Sequence, residues 1–197
     1  MHKKAQESMI AAQLKKIFDP FICLQIQVWE NFEKLGIVEN FLKESILKAS
    51  NTKEKYLNII LKGSGGNLIW SKNNFVCIDI AFANEFLCDY MSFTLQKPTP
   101  IEVRLFEDAT VFRISHQNFH HVLFIGTFGE KVARLVAEAS LIDKQQHQID
   151  FLTKTAKERY LEYLERSEEI ERMPLKYLAS YIGITPQSLS RIRAEKI

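Results

Sequence analysis

The sequence predicts an α+β fold in three parts: a β-sandwich or barrel of jelly-roll character, one long helix, and a small all-α module. Three observations predict it. Residues 41–115 carry short β-branched and aromatic runs separated by turn residues. From about Gly126 the apolar spacing changes to alternating threes and fours, the period of a long amphipathic helix. Near the C-terminus, two short apolar-faced segments flank Gly183 and Thr185, the plan of helix, turn, helix. The expected parts are residues 1–125, 126–152 and 153–197.

Composition sets the outer bounds. With 197 residues, 46% hydrophobic and 25% charged, the chain reads as a globular protein with a real core rather than a disordered one. Its longest apolar runs, such as LNIIL (57–61) and VLFIG (122–126), fall far short of the roughly 18 residues of a membrane span. MHKKAQESMIAAQLKKIFDP has no sustained apolar stretch, so no secretory leader is expected, and neither is a membrane partner; a cytoplasmic location is. A net charge of +2 announces no nucleic-acid partner, so any basic signal must be local. Cys23, Cys77 and Cys88 are odd in number and far apart, and read as reduced, mostly buried thiols.

QIQVWENFEKLG (25–36) puts Ile26, Trp29, and Phe32 or Glu33 on one side of a helix that Gly36 is expected to stop. The runs FLKESILKAS, KYLNIILKG, NLIWSK, NFVCIDIAF, IEVRLF and ATVFRIS follow. Turn signals part them at Asn51, Gly63–Gly66, Asn73–Asn74, Lys97–Pro100 and Glu107–Asp108. GSGG (63–66) lacks the lysine and hydroxyl of a phosphate loop, and no helix follows it; a tight strand-to-strand turn is expected. In the long helix, Val132, Leu135, Ala139, Ile142, Gln146 and Ile149 form the seam of a coiled coil with one polar member. That seam predicts a homodimer. The alternative is that the stripe packs on the barrel.

Thr155 and Glu158 form a T-x-x-E capping box, and Tyr160, Leu161 and Leu164 give the next helix its apolar face. Pro174 is expected at a first helical position. Leu175, Leu178, Ala179 and Ile182 point inward, and Gly183 ends the helix at a site suited to positive φ. Ile184 is an apolar anchor, Thr185 the next N-cap, and Leu189 and Ile192 the inward face of the last helix. Gln187, Ser188 and Arg191 then face outward in its first turns, where a helix entering the major groove reads base edges. Thr185 and the free N–H groups beside it suit a phosphate, as do Arg193 and Lys196. Residues 172–197 hold five basic residues (Arg172, Lys176, Arg191, Arg193, Lys196) against Glu195 alone. Double-stranded DNA is the expected partner, and a solvated helical hairpin the alternative.

At these residues the chain resembles the Crp/Fnr family of transcription regulators. LTKTAKERYLEYLERSEEIERMPLKYLASYIGITPQSLSRIR is especially similar to the C-terminal module of the branch common in Bacteroidetes. YLNIILKG resembles the family strand before its glycine turn, and NEFLCDYMSFTLQKPTPIEVRLFEDATVFRIS its phosphate-binding cassette with the strands after it. The resemblance covers about residues 20–197. It implies a cyclic-nucleotide-binding-like β-roll, a dimerisation helix and a DNA-binding helix-turn-helix, with an effector of unidentified chemistry and RNA polymerase as further partners. Gln187 and Arg191 fall on family positions that read bases; Pro186 falls where many members have a charged or polar reader. The family's glycine–glutamate pair aligns with Cys88 and Asp89, and its arginine–serine pair with Thr99 and Pro100, so the phosphate-neutralising arginine is missing. An effector pocket would draw on Glu85, Asp89, Thr99 and Arg104, with Arg104 pointing away from the cassette loop, and cyclic AMP is not expected to bind. Three scattered cysteines do not suit the four-cysteine iron–sulfur cluster of the oxygen-sensing members. Arg166–Met173 is too short for the family's wing hairpin.

Two other readings compete. A jelly roll could be a cupin-type metal enzyme using His116, His120, His121 or His147, but no H-x-H pair exists to place ligands on neighbouring strands. Asp89 with Glu85 is the best carboxylate pair for acid–base work, and a turn or cap role is expected instead. No enzyme activity, cofactor or metal is expected. The other reading is a signal-blind dimeric interaction module.

Overall fold

The computed structural model describes residues 2–124 and 127–195, except the side chains of 2–8, 122–124, 127–128, 166 and 168. Helices α1 (His2–Phe18) and α2 (Ile26–Glu33) precede a β-roll. Its strands are β1 (Gly36–Phe41), β2 (Ile46–Lys48), β3 (Tyr56–Lys62), β4 (Gly65–Ser71), β5 (Asn74–Ala81), β6 (Phe86–Leu87), β7 (Ile101–Leu105) and β8 (Ala109–Ser115), with α3 (Tyr90–Leu95) before β7. They form two four-stranded antiparallel sheets, ordered β1-β8-β3-β6 and β2-β7-β4-β5. Then come α4 (His116–Phe124), α5 (Thr127–Thr153), α6 (Ala156–Arg166), a 3-10 turn (Glu168–Arg172), α7 (Leu175–Ile182) and α8 (Pro186–Ala194). This is the α+β architecture that the sequence predicts.

Strand β3 is buried on both faces, which is why YLNIIL reads as a continuous apolar run rather than an alternating one. Leu57, Ile59 and Leu61 pack against Leu14, Phe18 and Trp29 of the N-terminal helices. Ile60 meets Val103, Leu105 and Val111 between the sheets. Two expectations shift. Gly36 does not stop α2, which ends at Glu33; it opens β1, where a Cβ would lie 2.3 Å from the Phe112 ring. GSGG is a turn, but it crosses from one sheet to the other, because β3 and β4 are not neighbours.

The outer face of the second sheet is covered by the C-terminal module. Leu68, Cys77 and Phe106 share one core with Tyr177, Leu178, Ala179, Tyr181 and Ile182. The Phe106 and Tyr177 rings stack at 4.4 Å. Ser180 Oγ accepts from Cys77 N at 2.9 Å and donates to Phe75 O at 3.4 Å, so α7 satisfies two backbone groups of edge strand β5. The Tyr177 hydroxyl donates to Glu44 Oε2 (3.1 Å), which also pairs with Arg104 (2.9 Å). Burial pushes the Cys77 thiol up to about 12, the mark of an inert structural cysteine. All three cysteines are free thiols: Cys77 is buried, Cys88 half-buried and Cys23 exposed.

Candidate nucleic-acid interface

The 27-residue α5 divides along its length. Val132, with Val136, packs on the roll, so the first part of the stripe does what the alternative reading foresees. Leu135 and Ala139 are half-buried. Gln146 is exposed, as are Ile142 (68%) and Ile149 (48%), leaving an apolar strip open toward the C-terminal end.

Beyond α5, local chemistry builds the head as the sequence predicts. The capping box is complete: Thr155 Oγ1 accepts from Glu158 N, and Glu158 Oε2 accepts from Thr155 N at 2.7 Å. Pro174 is the N-cap residue of α7 rather than its first turn. Gly183 takes φ +85°, a left-handed cap open to glycine at no steric cost. Thr185 Oγ1 caps α8 by accepting from Ser188 N at 3.2 Å, with Pro186 following. Leu189 is fully buried and Ile192 packs beside it. Gln187 and Arg191 are exposed, together with Thr185. Between α6 and α7 the chain makes the 3-10 turn Glu168–Arg172, and no strand pair occurs there.

Two members of the expected DNA set differ. Ser188 is half-buried, and its hydroxyl is shared with Thr185 Oγ1 at 3.1 Å, which makes it part of the cap. Arg193 turns inward: its Nε donates to the Tyr160 hydroxyl at 3.1 Å and its guanidinium lies over that ring. It braces α8 on α6 instead of facing outward. Lys196 lies outside the described residues.

The four residues assigned to an effector pocket do not gather into one. Asp89 is buried and caps α3, its Oδ1 accepting from Ser92 N at 3.1 Å. Its other oxygen accepts from the Thr99 hydroxyl and pairs with Lys48 Nζ at 2.9 Å. Lys48 also donates to Thr99 Oγ1 (2.9 Å) and Ile101 O (2.6 Å). One buried ammonium thus ties both ends of the 89–99 cassette. Beside it, Glu54 accepts from three backbone N–H groups, while burial pushes its carboxyl up. Glu85 closes its own turn by accepting from Phe82 N at 2.9 Å. Arg104 belongs to the face that meets the head, bound to Glu44 and Glu102, so it points away from the cassette as the sequence predicts.

His116, His120 and His147 are half-buried packing residues, while His121 is exposed. His116 and His120 lie ring to ring at 4.2 Å on α4, and His147 stacks on Tyr181 at 4.6 Å. Among the described residues, no group of three or more His, Cys, Asp or Glu could hold a metal. Among the described residues, no helix is long and apolar enough to cross a membrane.

Lys48, Tyr177 and Ser180 escaped the sequence reading. A register shift between Ile46 and Lys48 hides the lysine from any alternation rule. Tyr177 and Tyr181 did leave a signal, since KYLASYI is apolar nearly all round, the pattern of a helix buried on two sides.

Roll, long helix and capped helix-turn-helix together define a two-part architecture. No protein-family model matches the chain, and no curated protein matches its sequence. Solved structures do share its fold. FixK2 from Bradyrhizobium japonicum aligns with a TM-score of 0.68 at 14% identity, over 81% of this chain and 83% of that one. The c-di-GMP-responsive global regulator CLP of Xanthomonas campestris aligns at 0.63 and 12% identity, over 87% and 91%. The Catabolite Activator Protein of Thermus thermophilus gives 0.55 and 12%, over 89% and 84%. These neighbours are Crp/Fnr regulators, and the chain has their fold.

Proposed function

We propose that this protein is a Crp/Fnr-type transcription regulator that binds a pseudo-palindromic operator as a homodimer. One observation carries the reading: α8 buries Leu189 while presenting Gln187 and Arg191 to solvent from a capped N-terminus. Those side chains can pair with adenine and guanine edges, and the free N–H groups at the helix start suit a phosphate. The strip around Ile142 and Ile149 supplies the seam for the second copy, and a two-fold dimer meets half-sites about 34 Å apart. The roll, residues 1–125, is the sensor, 126–152 the dimer helix and 153–197 the head. The protein is not an enzyme; it works in the cytoplasm with RNA polymerase as a further partner.

Cyclic AMP is not its effector. A phosphate entering the roll must exchange water for a cation. The nearest buried cation, Lys48, already spends its donors on Asp89, Thr99 and Ile101. Any effector is neutral or cationic. Fluorescence anisotropy with duplexes enriched from random DNA tests the DNA reading, and binding that ignores sequence contradicts it. Calorimetric titration with cyclic AMP should give no dissociation constant tighter than about 10 μM, roughly −7 kcal/mol; a tighter one overturns the effector reading.

A further inference from the structure

We infer that Arg159 is a positioning residue that sets the angle between the dimer helix and the reading head, and with it the spacing of half-sites the protein accepts. This rests on the DNA-binding reading above. Arg159, on α6, is 7% exposed. Among the described residues its hydrogen-bond partners are backbone carbonyls rather than carboxylates. Nη1 donates to Phe151 O at 3.2 Å and to Lys154 O, and Nη2 donates to Ile182 O at 2.7 Å. The first two belong to the end of α5 and the residue beyond it; the third is the last residue of α7.

One cation therefore caps two helices whose negative ends converge on it. A buried charge without a carboxylate is a costly way to fill space, but it is a stiff way to join two helix ends, because the planar guanidinium fixes its donors in direction. Phe151 completes the joint. Its ring lies 4.7 Å under the guanidinium, and a Cβ on Gly183 would come within 2.7 Å of it. The turn between α7 and α8 is thus seated on the end of α5. Tyr177 and Ser180 hold α7 to the roll, whereas Arg159 and Phe151 hold the turn from which α8 starts. The exposed seam of α5 lies just before this joint, so in a dimer the joint sets how far apart two copies of α8 stand.

Half-site and full-site DNA separate this role from mere stability. Two heads joined at the right distance gain affinity through effective concentration, while one head on a half-site gains none. The operator enriched by the wild type is compared with versions carrying one or two base pairs added or removed at its centre, and with the isolated half-site. Arg159→Gln should stay dimeric and keep its half-site affinity. It should lose about tenfold on the full operator, and its dependence on spacing should flatten. Arg159→Lys, which keeps the charge but not the fork, should recover part of the loss. Phe151→Leu leaves the cation's carbonyl partners in place and should flatten the spacing profile more mildly, so it serves if Arg159→Gln does not fold. Equal losses on half-site and full operator, or a variant spacing profile parallel to the wild type, overturn the inference alone. A wild type that enriches no sequence defeats the DNA-binding reading itself, and this inference with it.

Discussion

Replacing Lys48 with methionine keeps most of the side-chain volume and removes one charge from a pair that is almost wholly out of water: the side chains are 1% and 0% exposed. Asp89 would then be a buried carboxylate with only the Thr99 hydroxyl and Ser92 N to oppose its charge. Breaking a buried pair from one side costs about 3–5 kcal/mol, because the orphaned charge loses its compensation. For a chain of this size each kcal/mol moves the melting temperature by about 2–4 °C, so Lys48→Met should lower it by about 6–20 °C. Lys48→Met with Asp89→Asn removes both charges and keeps an oxygen for the α3 cap. It should recover about 2 kcal/mol or more of the loss, since neutral replacement of a whole pair is far cheaper than breaking it. Urea titration and thermal melts of the wild type and variants give the cycle. A single variant within about 2 °C of the wild type, or a double variant no more stable than the single, would refute the view that this pair closes the cassette.

Ile142→Asp should convert the protein to a monomer by light scattering and abolish operator binding with it, because it puts a charge on the open strip of α5. Burial pulls the Glu44 carboxyl upward, but hydrogen bonds from Arg104 and Tyr177 outweigh it and hold the folded value below 4.5. Its contribution is therefore present at neutral pH and is lost as pH falls through the acid range. Glu44→Gln should flatten the melting-temperature profile below about pH 4.5 and change little near pH 7. Arg191→Ala should cost about 1–3 kcal/mol on the operator and relax preference at one base pair per half-site; equal losses on random DNA would make it a phosphate contact.

The parts of the fold that were legible are those governed by local chemistry. The Thr155–Glu158 box, the Gly183 turn and the Thr185 cap each occupy a few consecutive residues, and each forms as its sequence says. Strand existence was legible too, while sheet membership was not: nothing in GSGG tells a hairpin from a crossing between sheets. The same holds for the sites. Gln187 and Arg191 could be placed by helical phase alone. Arg193 shares that exposed-looking stretch, yet it packs on Tyr160, 33 residues away in sequence. Lys48 and Asp89 are 41 positions apart, and only the closed roll shows that the cation the cassette needs comes from within. The seating of the head on the second sheet was half legible: α7 shows two apolar faces, but the identity of their partners depends on the tertiary fold.

Enrichment of bound fragments from random duplex DNA by the purified 197-residue chain is the most direct test of DNA reading by α8. The wild type should enrich a pseudo-palindrome whose half-sites lie about one helical turn apart, altered at one position per half-site by Arg191→Ala. Recovery of no common sequence, or of one that survives Arg191→Ala and Gln187→Ala unchanged, would contradict it.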